Sequence, residues 1–221
     1  KGIVLKGDIP IGIYRNGCDA WMAPEMYNMD WQAGAPPDDF TAIGQNWGFP
    51  TYNWKKMQQD GFAWWKQRFE QMSEYFDAFR IDHILGFFRI WSIPAHAVQG
   101  LMGRFVPAIP VHMNEFGENG IWFDQQRYCR PFITDEILNE VFGDLSEKVK
   151  DNFIVANSSG GYDLEIKFET QRLVEDYFTA EASEDLSVAA ENERLKAGLF
   201  ELISNVILFE EEGKYGQEFH F

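Results

Sequence analysis

Positive charge is scarce in this chain: 19 lysines and arginines stand against 35 aspartates and glutamates, a formal net charge of −16. Such a field repels phosphate backbones and anionic bilayer surfaces, which argues against nucleic acid and membrane as partners and is indifferent to a neutral ligand such as a sugar. Cysteine is scarcer still, with only Cys18 and Cys129 in 221 residues. No Cys-x-x-Cys pair and no disulfide framework is possible, one bridge is the most the two allow, and a reducing, cytoplasmic compartment is the expectation. The 4 histidines, His83, His96, His112 and His220, are scattered without cysteines or carboxylates at ligand intervals, so neither metal nor cofactor is expected. No apolar run approaches the roughly 20 residues of a membrane span, and no charged-then-apolar leader opens the chain. A nucleophile elbow, a P-loop, a dinucleotide fingerprint and internal repeats are all missing.

What the chain has in abundance is aromatic surface: 8 Trp, 8 Tyr and 20 Phe, within a hydrophobic content of 45%. That composition excludes disorder and supplies a sizeable core. Aromatic rings also make flat platforms for ligands, and only position separates the two uses. The chain opens on Lys1 close to a strand pattern and stops at the alternating "EFHF", which reads as an excerpt of a longer polypeptide.

Along the chain, "GIVLKGDIPIGIY" predicts a strand at Ile3 to Leu5, ended by Gly-Asp-Ile-Pro. Residues 15 to 54 show no sustained period, yet hold Trp21, Trp31, Trp47 and Trp54, so an ordered and functional loop is expected. Trp21 and Trp54 are assigned to packing, as is Trp64. A helix capped by Asp60 follows, with Phe62, Trp65, Phe69, Met72 and Phe76 as its core stripe, ending near Asp77. Strand, loop, helix and strand make one βαβ unit, hence parallel strands. Past Trp91 the pattern loosens into short elements. Helices are predicted from Thr134 to about Leu145, over 163 to 178 and over 187 to 209, with a break at "NSSGG" and a closing hairpin turning at Glu212–Gly213. The acidic run Glu210 to Glu212 reads as a solvated turn.

The unusual stretch is "FRIDHILGFFRIW", residues 79 to 91, which places Arg80, Asp82 and His83 inside an apolar strand. Arg80 and Asp82 share a face, and Asp82 stands at the strand's end, where parallel α/β sheets and barrels bind ligands. Asp8 occupies the corresponding end of the first strand. A guanidinium beside a carboxylate keeps it anionic and nucleophilic. Glycoside chemistry needs such a group, paired with a second carboxyl that protonates the leaving oxygen. The residues alone allow equally an Asp–Arg pair that only ties strands together.

"KGDIPIGI", "PPDDFTAIGQNWGFPTYNW", "GFAWWKQRF" and "FRIDHILGFFRIWSIPA" occur in the order found in the 4-α-glucanotransferases, the amylomaltases or disproportionating enzymes of glycoside hydrolase family 77, which the chain resembles from about residue 2 to 96. With "IPAHAVQGL" it is most similar to the long form with an insertion after the nucleophile strand. The resemblance implies an α/β fold, part of a (β/α)8 TIM barrel around strands 3 and 4 over residues 1–96, followed by a mainly helical insertion at 97–221. It implies Asp82 as catalytic nucleophile, Arg80 as the arginine that holds it, His83 at the mouth of the sugar site and Asp8 as a substrate contact. Asp38, Phe40, Gln45 and Trp47 would lie near sugar on an overhanging loop; packing within that loop is the other reading of Phe40 and Trp47. Asp39 stands where the family usually has an aromatic. The implied reaction moves α-1,4-glucan or glucosyl units from maltose and maltooligosaccharides to acceptor α-glucans, in starch or glycogen metabolism, through a covalent glucosyl-enzyme and without cofactors. The family's Gly-Glu-Asp-Leu-Gly motif, which carries the general acid/base glutamate, does not occur here, so the chain alone is expected to be inactive. An α-glucan hydrolase and a non-catalytic carbohydrate-binding scaffold stay open as alternatives.

Overall fold

A strand needs a partner before it needs apolar residues. In the computed structural model, which describes residues 2–213 and 216–221, the first strand is β1 (Lys6–Ile9), three residues later than the apolar run suggests. Its parallel partner begins only at Ala78; the Leu5 carbonyl accepts the Asp77 and Ala78 N–H groups at 2.9 and 3.2 Å as the pairing starts, and the side chains of Ile3, Val4 and Leu5 stay exposed. Pro10, with no N–H to donate, follows β1 directly. The residues fall into two units, Lys1–Ala95 with Gln99–Pro107, and His96–Val98 with Ala108–Phe221.

The first unit continues through α1 (Cys18–Met22), β2 (Tyr27–Asn28), β3 (Trp31–Ala35), β4 (Gln45–Asn46), β5 (Thr51–Tyr52), α2 (Trp54–Gln58), α3 (Ala63–Ser73), β6 (Ala78–Ile81), β7 (Ile90–Pro94) and β8 (Arg104–Val106). The stretch expected to be irregular therefore holds short strands and turns of helix. β1 and β6 pair in parallel, as the βαβ pattern predicts, with Asp8 opposite Arg80. They form a sheet of their own, and no barrel closes among the described residues. β4, β3, β7 and β8 make an antiparallel sheet, and β2 pairs with β5. The mixed α/β class stands.

Helix α3 starts later and stops earlier than its periodicity suggests. The Asp60 carboxylate accepts the Ala63 N–H at 3.1 Å, but Gly61 and Phe62 take left-handed backbone first. Trp65 is buried, with Phe69 and Met72 packed beside it, while the end members Phe62 and Phe76 are exposed. Trp65 meets Tyr52, Trp64 and Phe87 at ring separations of 5.1, 5.0 and 5.1 Å, over a core of Ile9, Ile13, Ala20, Tyr27 and Met57. Burial in this cluster pushes the Tyr52 phenol up to about 12. Trp54 and Trp64 pack here as expected. Trp21 does not: it is 91% exposed, because it follows Ala20 by one position and so projects about 100° round the helix from the side that Ala20 buries.

The second unit holds β9 (Val111–His112), α4 (Met113–Glu118), α5 (Gln125–Cys129), α6 (Asp135–Phe142), α7 (Ser146–Asn152), β10 (Ile154–Ala156), β11 (Tyr162–Leu164), α8 (Gln171–Ala180), α9 (Leu186–Ser204), β12 (Phe209–Gly213) and β13 (Gly216–His220). Thr134 and Thr170 cap α6 and α8, accepting the N–H groups of Ile137 and Leu173 at 3.4 and 3.3 Å. Leu138 of α6, Val149 of α7, Val174 of α8 and Leu195, Leu199 and Leu202 of α9 are buried. At Gly198 the α9 backbone lies so close to Phe142 that an added Cβ would fall 2.2 Å from the ring. Lys150 binds Asp135 at 2.7 Å and Glu147 at 2.9 Å, and the Tyr162 hydroxyl donates to Asp135 at 3.1 Å. These bonds hold the Asp135 carboxyl below the usual range, the Lys150 hydrogen bond foremost. The "NSSGG" break joins β10 to β11 as a hairpin. β12 and β13 pair from Phe209↔His220 to Gly213↔Gly216, so the pairing outruns the turn expected at Glu212–Gly213; the connecting residues 214–215 lie outside the described residues. Both cysteines are free.

Candidate active site

Two neighbouring parallel strands bring three charged groups together. Asp8 lies on β1 directly across from Arg80 on β6, and Asp82 follows β6 by one residue. The Arg80 guanidinium donates through Nε to Asp8 Oδ1 at 2.9 Å and stands 3.9 Å by Nη2 from Asp82 Oδ2. Asp8 is thus the closer partner, although the sequence suggested that Arg80 serves chiefly Asp82. The alternating period of the strand explains both contacts, since residues 80 and 82 project to one side. The Asp82 side chain is 65% exposed, so a ligand can reach it.

His83 comes next and takes a left-handed conformation, φ 49°, which is rare outside glycine and tends to mark positions held by their surroundings. The turn directs its ring edge-on to Trp47 at 5.3 Å. Gly86, at the following 3-10 turn (Ile84–Phe87), is what leaves room: a Cβ there would sit 2.7 Å from the His83 ring. Trp47 Nε1 donates to Gln45 Oε1 at 3.0 Å, and its ring stacks on Phe49 at 5.8 Å. Gly44 and Gly48, with φ of 66° and 76°, bracket this short extended piece and supply the reversals that L side chains resist. His83, Trp47 and Gln45 therefore form one connected wall that starts one residue after Asp82.

Asp38 and Phe40 stand on the loop that precedes this wall. Asp38 Oδ1 accepts the N–H groups of Phe40 and Thr41, each at 2.9 Å, which commits that carboxylate to shaping its own loop. Phe40 is 96% exposed at the loop's tip.

Sequence reasoning passed over Arg15. Its guanidinium donates to the Trp31 carbonyl at 2.7 Å, to Gly48 at 3.3 Å and to the Met29 carbonyl, tying both ends of the segment that carries Gln45 and Trp47. No motif marks it; only the carbonyls that folding gathers round its half-buried side chain do. Phe49 was also missed, though its place in "NWGF" beside Trp47 carried the signal. Among the described residues no group of three or more His, Cys, Asp or Glu is arranged to hold a metal ion, and no helix is long and apolar enough to cross a membrane.

Comparison with known proteins adds a second line. The family model described as 4-alpha-glucanotransferase, glycoside hydrolase family 77, matches residues 1–196, running well past residue 96. A 4-alpha-glucanotransferase of Oryza sativa subsp. japonica is 42% identical over 208 residues, 94% of this chain and 22% of that protein. One from Chlamydia pneumoniae is 38% identical over 108 residues, 49% of this chain and 20% of that protein. The solved amylomaltase of Streptococcus agalactiae in complex with acarbose aligns over 87% of this chain and 45% of its own, with 20% identity and a TM-score of 0.46. The chain thus spans about a fifth of the length of the curated relatives it matches.

Proposed function

We propose, from the premise that this chain belongs to the 4-alpha-glucanotransferase family, that it is the nucleophile-bearing segment of a retaining transferase acting on α-1,4-glucans. The observation that carries this reading is the Asp8–Arg80–Asp82 arrangement on two adjacent parallel strands, with Asp82 open to solvent one residue before the His83–Trp47 wall. In this mechanism an Asp82 oxygen attacks the anomeric carbon of the donor glucose as the glycosidic C–O bond breaks. A carboxylic acid from outside these 221 residues protonates the departing oxygen, consistent with the missing Gly-Glu-Asp-Leu-Gly motif. The ester formed on Asp82 is then displaced by a hydroxyl of the acceptor glucan, whose proton returns to the same outside carboxylate, so two inversions give retention. Arg80 orients the nucleophile, and the Trp47 ring offers a face to a pyranose.

Matching of the second unit by the rice protein, against the half-chain match to the chlamydial one, is in keeping with 97–221 as an insertion in a longer barrel enzyme. On this reading the isolated chain does not turn over. The test is Asp82→Asn in the full-length protein, assayed by oligosaccharide redistribution from maltotriose and by release of glucose. Transfer should fall by at least about 10³-fold with glucan binding retained. Surviving activity, or hydrolysis without redistribution in the parent enzyme, removes the reading.

A further inference from the structure

The second unit carries a groove of about 1050 Å³ that the carboxylate site does not use, at the upper end of the size of ligand-binding clefts. Its walls come from His96, the segment 122–131 and the segment 163–170, all of that unit. A smaller cavity of about 220 Å³ shares Asp124, Gln126, Pro131 and Asp163 with it, so the two run together as a trough.

At the trough's edge stands Trp122, 85% exposed. Its backbone is held from both sides. Phe123 packs on Phe116 and Phe219 at ring separations of 4.6 and 4.7 Å, and the Tyr128 hydroxyl donates to the Trp122 carbonyl at 3.2 Å. An indole presented outward from a fixed backbone is a platform prepared in advance, which lowers the ordering cost of binding. Around it lie planar polar groups: the carboxylates of Asp124, Asp163 and Glu169, the Gln126 amide and the Arg130 guanidinium. Asp124 accepts the Arg127 N–H at 3.0 Å and Asp163 accepts from Asn157 at 3.2 Å, bonds that set both carboxylates in place.

Charge and polarity select the ligand. Three carboxylates against two arginines, Arg130 and Arg127, leave the trough net negative, which disfavours a phosphate or any other anion. A polar lining offers no continuous apolar floor for a lipid tail. Vicinal hydroxyls, by contrast, match planar donors and acceptors, and the apolar face of a pyranose matches an indole. We propose that this trough binds an α-glucan chain, with a glucose unit stacked on Trp122 and hydroxyls bonded by Asp163, Glu169 and Arg130. The ligand class rests on the transferase reading above; the trough itself does not.

The test uses the full-length protein with Asp82→Asn to stop turnover, labelled with 5-fluorotryptophan. The Trp47 and Trp122 fluorine resonances are assigned by Trp47→Phe and Trp122→Phe. Titration with maltoheptaose is expected to move the Trp122 line saturably, with cellohexaose leaving it in place. Glu169→Ala should weaken the affinity read at Trp122 by about tenfold. If Trp47 responds and Trp122 does not, the trough is overturned and the carboxylate site stands. If Trp122 responds and Trp47 does not, the trough holds and the catalytic reading fails. Silence at both overturns both, and an equal response to cellohexaose overturns the α-glucan assignment.

Discussion

Arg80 stands between two carboxylates, and its replacement separates positioning from stability. All three side chains are more than half exposed, and exposed ion pairs contribute about 0–1 kcal/mol. Arg80→Lys should therefore leave the urea midpoint nearly unchanged in the full-length protein. Transfer should still fall by roughly 10–100-fold, because one ammonium cannot span Asp8 and Asp82 as a planar fork does. A parallel loss of stability and activity would make Arg80 a strand tie instead. His96 gives a pH prediction in the second unit. Burial holds its imidazole below the ordinary value of 6.5, with Glu169 opposing. The unfolded chain takes up this proton first, so the stability present above about pH 6.5 is lost as pH falls through the lower folded value. The melting temperature should drop more steeply from about pH 7 to about pH 5 in the wild type than in His96→Asn. At this scale the sequence was most readable where chemistry is rare, as in the charged run at 80–83. It was least readable where an identical residue type serves two ends, as Trp21 and Trp65 show: one lies 91% exposed, the other buried.

Elements were legible where local signals suffice. Thr134 and Asp60 announce helices because caps are local, and α6 follows Thr134 directly. Strand limits were not, because β1 is defined by where β6 begins, some seventy residues later, and no apolar count contains that. The same holds for Arg15, whose role depends on three carbonyls brought to it by folding. Arg15→Ala should cost about 2–3 kcal/mol in urea unfolding and raise KM more than it lowers kcat, since it holds the Gln45–Trp47 wall without touching Asp82. Close packing of α9 on α6 makes a sharper case. Gly198→Ala gains up to about 1 kcal/mol in helix propensity, yet drives a methyl to 2.2 Å from the buried Phe142 ring. Overpacking costs about 1–3 kcal/mol, so the clash wins and the midpoint should fall. A stabilised Gly198→Ala would mean that the ring moves aside freely.

For the whole molecule, two units with separate cores share 221 residues, and the chain accounts for about a fifth of its curated relatives. A net charge of −16 carries its own prediction. Affinity for maltoheptaose should change less than about twofold between low and high salt, because a neutral ligand displaces no counterions. A steep salt dependence would point to a charged ligand. Gln99–Pro107 returns to the first unit through the pairing of β8 with β7, a long-range contact that no local signal announces. Charge arithmetic has a local form as well, at the register that sets Asp8 across from Arg80. On the proposed mechanism Asp82 would become an ester and cease to be an anion. The guanidinium then keeps Asp8 as a counter-ion at 2.9 Å, and never faces the sugar's developing cation as an unneutralised charge. Of its two neighbours, the one surrendered during turnover is the one held less tightly.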